Sequence, residues 1–437
     1  MKKVSFCGIS GSGMSPLAQI LKLSGYTVQG SDRNFDLNRD IESKKALEAL
    51  GIKIYPQDGS GITEDLDFVC ASTAVEDTIP DIKAAKEKNI PLKTRPQLLS
   101  EIFHSYQYGI AVGGTSGKTT TAAMIGYILD KAGKKPCLIN GGNQGDICVV
   151  EADESNGSID LYNPYISVIN NISHDHKSIA ELQQLFQNLG NRTKHAVVIN
   201  DDYETCRTIT HQHKITFSLQ NPQADFYAEN IRTLPHGTAY DLDGKTFTLK
   251  LIGRFNVANA LAAVAACNAM DVDKYAAAEI LEDFSGTKRR LDVIGQKNGI
   301  TVIDDFAHNP DKITASVSAL RQYSGRLLIM FQPHGFSPMR SMGKEIIESF
   351  IKNMQPDDIL IMPEIFFVGG TVTKDISSAD LINYAHKLGK QNAYFAADKQ
   401  QAAEILLKEA KSGDRIVIMG ARDNSLTNLC KLILERL

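Results

Sequence analysis

One short run does most to decide what this chain can fold into. The segment GGTSGKTTT, Gly113–Thr121, follows the apolar stretch Tyr108–Val112 and runs straight into the apolar stretch Ala122–Leu129. A strand feeding a glycine turn and then a helix is the local signature of a parallel α/β layer. The turn's chemistry narrows it further. Glycines 113, 114 and 117 let backbone N–H groups crowd around phosphate oxygens, and the following helix points its positive end at them. Lys118 adds a mobile cation, and a threonine hydroxyl can reach Mg²⁺. The first glycine of the longer phosphate-loop pattern would fall on Val112, so the form here is the compact G-T-x-G-K-T-T. A glycine turn kept for packing alone would not explain a lysine and three threonines after its last glycine. Gly114, Thr115, Ser116, Gly117, Lys118, Thr119 and Thr120 are therefore expected to bind ATP.

At 437 residues the chain is long enough for two or three domains, each with its own core. The net charge of −4 and the scattered Lys and Arg argue against nucleic acid or an anionic membrane surface as primary partner. Seven cysteines, odd in number and without C-x-x-C spacing, read as free thiols in a reducing compartment. The start, MKKVSFCGISGSG, breaks its apolar run with glycine and serine after four residues, as a first β-strand does and a signal peptide does not. No apolar stretch approaches membrane-spanning length, so no membrane insertion and a cytoplasmic location are expected.

Three blocks follow from the alternation of strand and helix patterns: residues 1–105, 106–286 and 287–437. The first is read as doubly wound, with its glycine turn Gly8-Ile-Ser-Gly11-Ser12-Gly13 after the first strand and Ser31-Asp32 after the second, where an acidic residue would meet a ribose hydroxyl. The second carries the phosphate loop, apolar strands at 147–150, 166–169 and 196–199 with helices between, and the alanine-rich helix Asn259–Met270. The third alternates again from 301 to 419. The expected architecture is an α/β protein of three domains in series: Rossmann-like, P-loop ATPase and Rossmann-like.

Polar groups gather where the strands end. Strand 147–150 runs into Glu151, Asp153 and Glu154, carboxylates suited to a metal ion beside a phosphate loop. Strand 166–169 runs into Asn170-Asn171 and then His174-Asp175-His176, a set that could ligate metal or orient a phosphate. Asn256 and Asn259 stand at i and i+3 on one face of a helix start, where Asn256 could equally be an N-cap. The basic triplet Lys288-Arg289-Arg290 marks the second block boundary and is either a solvated run or a phosphate clamp. Strand 301–303 ends in Asp304-Asp305-Phe-Ala-His308-Asn-Pro310, and a later strand ends in Gln332-Pro-His334.

Together these residues resemble the Mur ligase family, ATP-dependent amide-bond synthetases of peptidoglycan assembly. The resemblance covers the whole chain. The family's phosphate loop is matched at 114–120, its metal glutamate at Glu151, its N-x-x-x-D-H element at Asn171 through His176, and its paired asparagines at Asn256 and Asn259. Its interdomain arginine is matched by Arg290, and its D-[YF]-[AG]-H-x-P element by Asp305 through Pro310. The first block, with Gly11, Ser12, Gly13, Met14, Ser31 and Asp32, the run Glu151–Ser155 and the element ending in His334 are most similar to the branch that adds L-alanine.

The resemblance implies UDP-N-acetylmuramate bound by the first block through those residues, ATP by the second, and L-alanine or a short peptide near the third and His334. It implies Mg²⁺ at Thr119, Glu151 and His176, and catalysis through Lys118, Asn171, His176 and Arg290. Asn256, Asn259, Arg290, Asp305 and His308 would hold the nucleotide, in a monomer or homodimer. Three departures lie near the substrates: a short segment before Glu151, Lys177-Ser178 after His176, and Gly335-Phe336 where the L-alanine branch carries an arginine. They leave open a ligase that joins an L-alanyl tripeptide, or another acceptor, to the same sugar nucleotide.

Overall fold

The computed structural model describes residues 2–11, 13–72, 76–138, 145–154, 157–173, 177–234, 237–367, 373–423 and 425–437. Among these residues three sheets follow one another along the chain, with helices between their parallel strands, so the protein is α/β. The chain divides into two units, Met1–Tyr227 with Asn259–Ile280, and Ala228–Ala258 with Leu281–Leu437.

The first unit opens with a parallel sheet in the order Lys53–Tyr55, Thr27–Ser31, Lys3–Cys7, Phe68–Ala71, Leu92–Thr94. Val4 and Phe6 on one face and Cys7 on the other are fully buried, as a strand covered on both faces requires. Helix Met14–Leu23 buries Met14, Leu17, Ala18 and Leu21, the i, i+3, i+4, i+7 stripe that faces the sheet. The central strand Lys3–Cys7 lies where the strand order reverses, so the glycine turn that follows it opens at the sheet's switch point.

The next parallel strands of this unit run in the order Lys214–Ser218, Ala196–Asn200, Ile166–Ile169, Tyr108–Gly113, Ile147–Glu151, Cys137–Leu138. Tyr108–Gly113 is central and fully buried from Gly109 to Gly113. Its register sets Val112 beside Glu151 and Gly113 beside Ile169, so the residues after both neighbouring strands flank the phosphate loop.

In the second unit the expected alternation of strands and helices gives way to an antiparallel meander. From Ala228, strand Phe226–Leu234 pairs with Gly237–Leu242, which pairs in turn with Lys245–Leu249. The tight turn is Asp243-Gly244, with φ of +51° and +76°, the paired positive values of a type I′ hairpin. The carboxy-terminal sheet runs Asp292–Lys297, Ile300–Asp305, Arg415–Met419, Leu327–Phe331, Ile359–Pro363, Ala393–Ala396. All its pairs are parallel except the first, an antiparallel hairpin turned by Asn298-Gly299 at φ +51° and +77°. One side is covered by Pro310–Leu320, Phe336–Asn353 and Ser378–Lys387, the other by Lys399–Glu409 and Leu426–Arg436.

Candidate active site

Strand Tyr108–Gly113 delivers the chain into the turn, and helix Lys118–Lys131 takes it up. Gly114 at φ +132° and Gly117 at φ +82° make the turn possible. A Cβ on Gly117 would stand 2.5 Å from Asn259 Oδ1 and 2.8 Å from Asn170 Nδ2, so the loop has no room for a side chain there. Asn171 fixes the loop from the neighbouring strand end. Its Oδ1 accepts from Thr115 Oγ1 at 2.7 Å and from the Ser116 N–H at 2.9 Å, while its Nδ2 donates to Ser116 Oγ at 2.9 Å. Behind the loop, Thr121 Oγ1 takes a bond from Asn170 Nδ2 at 2.9 Å and donates to Asn259 Oδ1 at 3.3 Å. Thr120 is buried.

Lys118 Nζ donates to the Gly114 carbonyl at 2.6 Å and to Glu154 Oε2 at 2.8 Å. The three carboxylates after strand Ile147–Glu151 therefore do different things. Glu154, almost wholly buried, is the counter-ion of the loop lysine, whereas Glu151 Oε2 accepts from Thr119 Oγ1 at 2.9 Å and stays exposed. Lys177 Nζ, one of the departures from the family pattern, donates to the Glu154 carbonyl at 2.9 Å. His176 and Ser12 lie outside the described residues.

At the amino-terminal turn Gly8 adopts φ +82°, and the Gly8 and Ile9 amides donate to the Ser31 carbonyl at 2.9 and 3.0 Å. Asp32 holds the turn with one oxygen, on the Ser10 N–H at 2.9 Å, and caps helix Arg33–Asp36 with the other, on the Asn34 N–H at 2.9 Å. Ser31 Oγ donates to Asp81. Gly11 and Gly13 lie in the turn, and a Cβ on Gly13 would meet Arg95 Cδ at 2.9 Å. Met14, expected at the substrate, turns its side chain into the core, because it shares the buried face of its helix with Leu17 and Leu21.

In the second unit Asp305 is fully buried at the end of its strand. Its Oδ1 accepts from the Leu291 N–H at 3.3 Å, its Oδ2 has no partner among the described residues, and burial raises its pKa. His308 Nδ1 meets the Phe306 carbonyl at 2.9 Å, which makes Nδ1 the protonated nitrogen. Burial holds its pKa down at about 4. The His308 and His334 rings meet edge to face at 5.6 Å. The basic triplet splits: Arg289 pairs with buried Asp304 at 3.3 Å, and Arg290 lies 4.9 Å over the Phe306 ring. Asn256 is not the N-cap. It is the third residue of helix Arg254–Asn268, and its Nδ2 donates back to the Ile252 carbonyl at 2.8 Å, whereas a cap would accept from an amide.

Three family models match the chain in order: the Mur ligase family catalytic domain over residues 3–107, the Mur ligase middle domain over 112–267, and the Mur ligase glutamate ligase domain over 289–422. A UDP-N-acetylmuramate–L-alanine ligase of Pelotomaculum thermopropionicum is 32% identical over 97% of this chain and 95% of its own. The chain belongs to the Mur ligase family. It is thus an ATP-dependent ligase. A second L-alanine ligase, from Sulfurihydrogenibium sp., is 33% identical over 98% of this chain and 96% of its own. Among solved structures, the UDP-N-acetylmuramate-alanine ligase of Thermotoga maritima superposes with a TM-score of 0.80 at 25% identity, over 100% of this chain and 99% of that one.

Two residues of the ligase's phosphate loop region escaped the sequence reading of roles. Glu154 was one of three adjacent carboxylates with nothing in the spacing to separate them. Asn170 stood beside Asn171, and its role depends on Thr121 and Asn259, which only the folded chain brings to it. Arg95, against Gly13, left no sequence signal beyond its place at the start of helix Arg95–His104.

Proposed function

We propose that this Mur ligase joins L-alanine to UDP-N-acetylmuramate, with ATP converted to ADP and phosphate. The observation that carries the reading is the similarity, at 32–33% identity over nearly the whole of both chains, to ligases named for that reaction. The loop geometry supports the chemistry. A carboxylate oxygen of the sugar nucleotide attacks the γ-phosphorus of ATP, the bond to ADP breaks, and an acyl phosphate forms. The amine nitrogen then attacks the carbonyl carbon and loses its proton, and the C–O bond to phosphate breaks to leave the amide.

This chain's part is positional and electrostatic. The loop, held by Asn171 through the Ser116 amide and turned by Gly114 and Gly117, would offer its remaining amides to the phosphates. Lys118, released from Glu154, neutralises the charge that spreads over the transferred group. Thr119 Oγ1 and Glu151 Oε2, 2.9 Å apart, form the hard oxygen pair that suits Mg²⁺, with His176 as a further ligand; bound there, the ion would neutralise phosphate charge. Asn256, Asn259, Arg290, Asp305 and His308 are assigned to the nucleotide, and the glycine turn with Ser31 and Asp32 to the sugar nucleotide. Release of ADP in the presence of UDP-N-acetylmuramate tests the reading. L-Alanine is expected to saturate the rate; saturation by an L-alanyl tripeptide alone would replace it with the peptide-adding reaction.

A further inference from the structure

An amine that is an amino acid or a peptide brings a carboxylate with it, and the residues assigned so far leave that group unbound. A cation for it stands in the loop after strand Arg415–Met419. This strand lies between Ile300–Asp305 and Leu327–Phe331. Both neighbours lead into helices, Pro310–Leu320 and Phe336–Asn353, that pack with Val417 and Met419 on one side of the sheet. Arg415–Met419 leads instead into Leu426–Arg436, which packs with Ile416 and Ile418 on the other side. Adjacent chains therefore leave the carboxyl end of the sheet in opposite directions, and the crevice that opens there is where such sheets take ligands.

Arg422 stands at that crevice with φ +67°. It is the centre of a three-residue turn closed by the Asp423 N–H on the Ala421 carbonyl at 2.8 Å. A turn of this kind with positive φ at its centre is the rarer and more strained form, and a residue with a Cβ persists in it only when its surroundings hold it. They do hold it. Buried Asp423 takes Lys399 Nζ at 2.9 Å and Ser425 Oγ at 2.5 Å, and the Gly420 carbonyl takes Arg289 Nη2 at 2.6 Å. Arg422 itself is exposed, and among the described residues no hydrogen bond or ion pair engages its guanidinium. On the neighbouring strand end, His334 Nδ1 is buried without a partner among the described residues, in an imidazole whose pKa is lowered by burial and then by the charge of Arg422. A strained loop thus carries a guanidinium, unengaged among the described residues, at the strand end next to the one that leads to His334.

We propose that Arg422 binds the carboxylate of the incoming amine, and so selects an amino acid or short peptide over an amine that lacks a carboxylate. The proposal rests on the ligase reading of the preceding section. The test compares the whole enzyme with Arg422→Gly, a residue that takes φ +67° without strain, so the thermal midpoint is expected to hold or rise. KM for the carboxylated amine should rise about tenfold to a hundredfold, the scale of a lost charge-assisted pair, with kcat and the KM values for ATP and UDP-N-acetylmuramate little changed. The wild type should discriminate against the carboxamide of the same amine, and the variant should not. Hydroxylamine, which captures an acyl phosphate and carries no carboxylate, should give hydroxamate equally with both proteins. An unchanged KM in the variant, or equal use of acid and amide by the wild type, overturns the assignment of Arg422 while hydroxamate formation keeps the ligase reading. Absence of hydroxamate from both proteins overturns the two together.

Discussion

Lys118 and Glu154 form a pair whose side chains are only 16% and 5% exposed, and this makes the loop lysine structural as well as chemical. Lys118→Ala leaves a carboxylate buried without its cation, which costs about 3–5 kcal/mol. Removing both partners, in Lys118→Ala with Glu154→Ala, should recover most of that stability and none of the activity. Urea denaturation of the two variants checks it, and a double variant no more stable than the single one would sink the idea. His308 carries a second prediction at this scale. Its pKa falls from 6.5 to about 4 on folding, so between those values the unfolded chain binds a proton that the folded chain does not. The sign is that stability rises with pH across this window: the contribution is present above 6.5 and is lost as pH falls towards 4. The full effect is about 3 kcal/mol at most. Wild type and His308→Gln should therefore differ in the slope of thermal midpoint against pH below 6.5, with the variant flatter; equal slopes would remove His308 as the source.

At the scale of elements, legibility followed locality. Helices Pro310–Leu320 and Lys399–Glu409 and strands Leu327–Phe331 and Arg415–Met419 realise the alternation expected from 301 to 419, because apolar period and flanking polar residues mark them without help from distant chain. The phosphate loop was legible for the same reason: its strand, glycines, lysine and helix are contiguous. The meander from 226 to 249 was not read, although Asp243-Gly244 is a hairpin signal, because the charged positions Glu229, Arg232, Asp241 and Lys245 blur the strand alternation. Asn298-Gly299 carried the same signal for the antiparallel edge of the last sheet. Helices Pro80–Glu87 and Arg95–His104 were missed in spite of Pro80, Pro96 and the Thr94–Gln97 capping box, since short helices of mixed polarity show little periodicity. What no local pattern carries is pairing over distance. Glu154 on Lys118, Asn170 on Thr121 and the strained turn at Arg422 exist only once separate segments meet.

The molecule as a whole is built so that the unit holding the phosphate loop is not contiguous in sequence. It consists of Met1–Tyr227 and returns at Asn259–Ile280. The returning segment starts inside helix Arg254–Asn268, where every residue from Ala260 to Cys267 is fully buried. A helix apolar on all sides belongs in an interior, and small residues let neighbouring backbone come close. Cys267 Sγ reaches the Ile125 carbonyl at 3.7 Å, and Asn259 supports Thr121 behind the phosphate loop. Burial of Leu261, Val264 and Cys267 alone is worth about 5 kcal/mol, comparable to the whole stability of a domain. A fragment of residues 1–227 should therefore lack a cooperative unfolding transition and bind a dye for exposed apolar surface, whereas residues 1–280 should unfold cooperatively. Calorimetry and dye binding on the two fragments make the comparison. If residues 1–227 unfold as cooperatively as the longer fragment and at the same temperature, the returning helix is an accessory to the unit; if they do not, the phosphate loop is supported by chain made after the meander, and the unit closes only once that helix has been added.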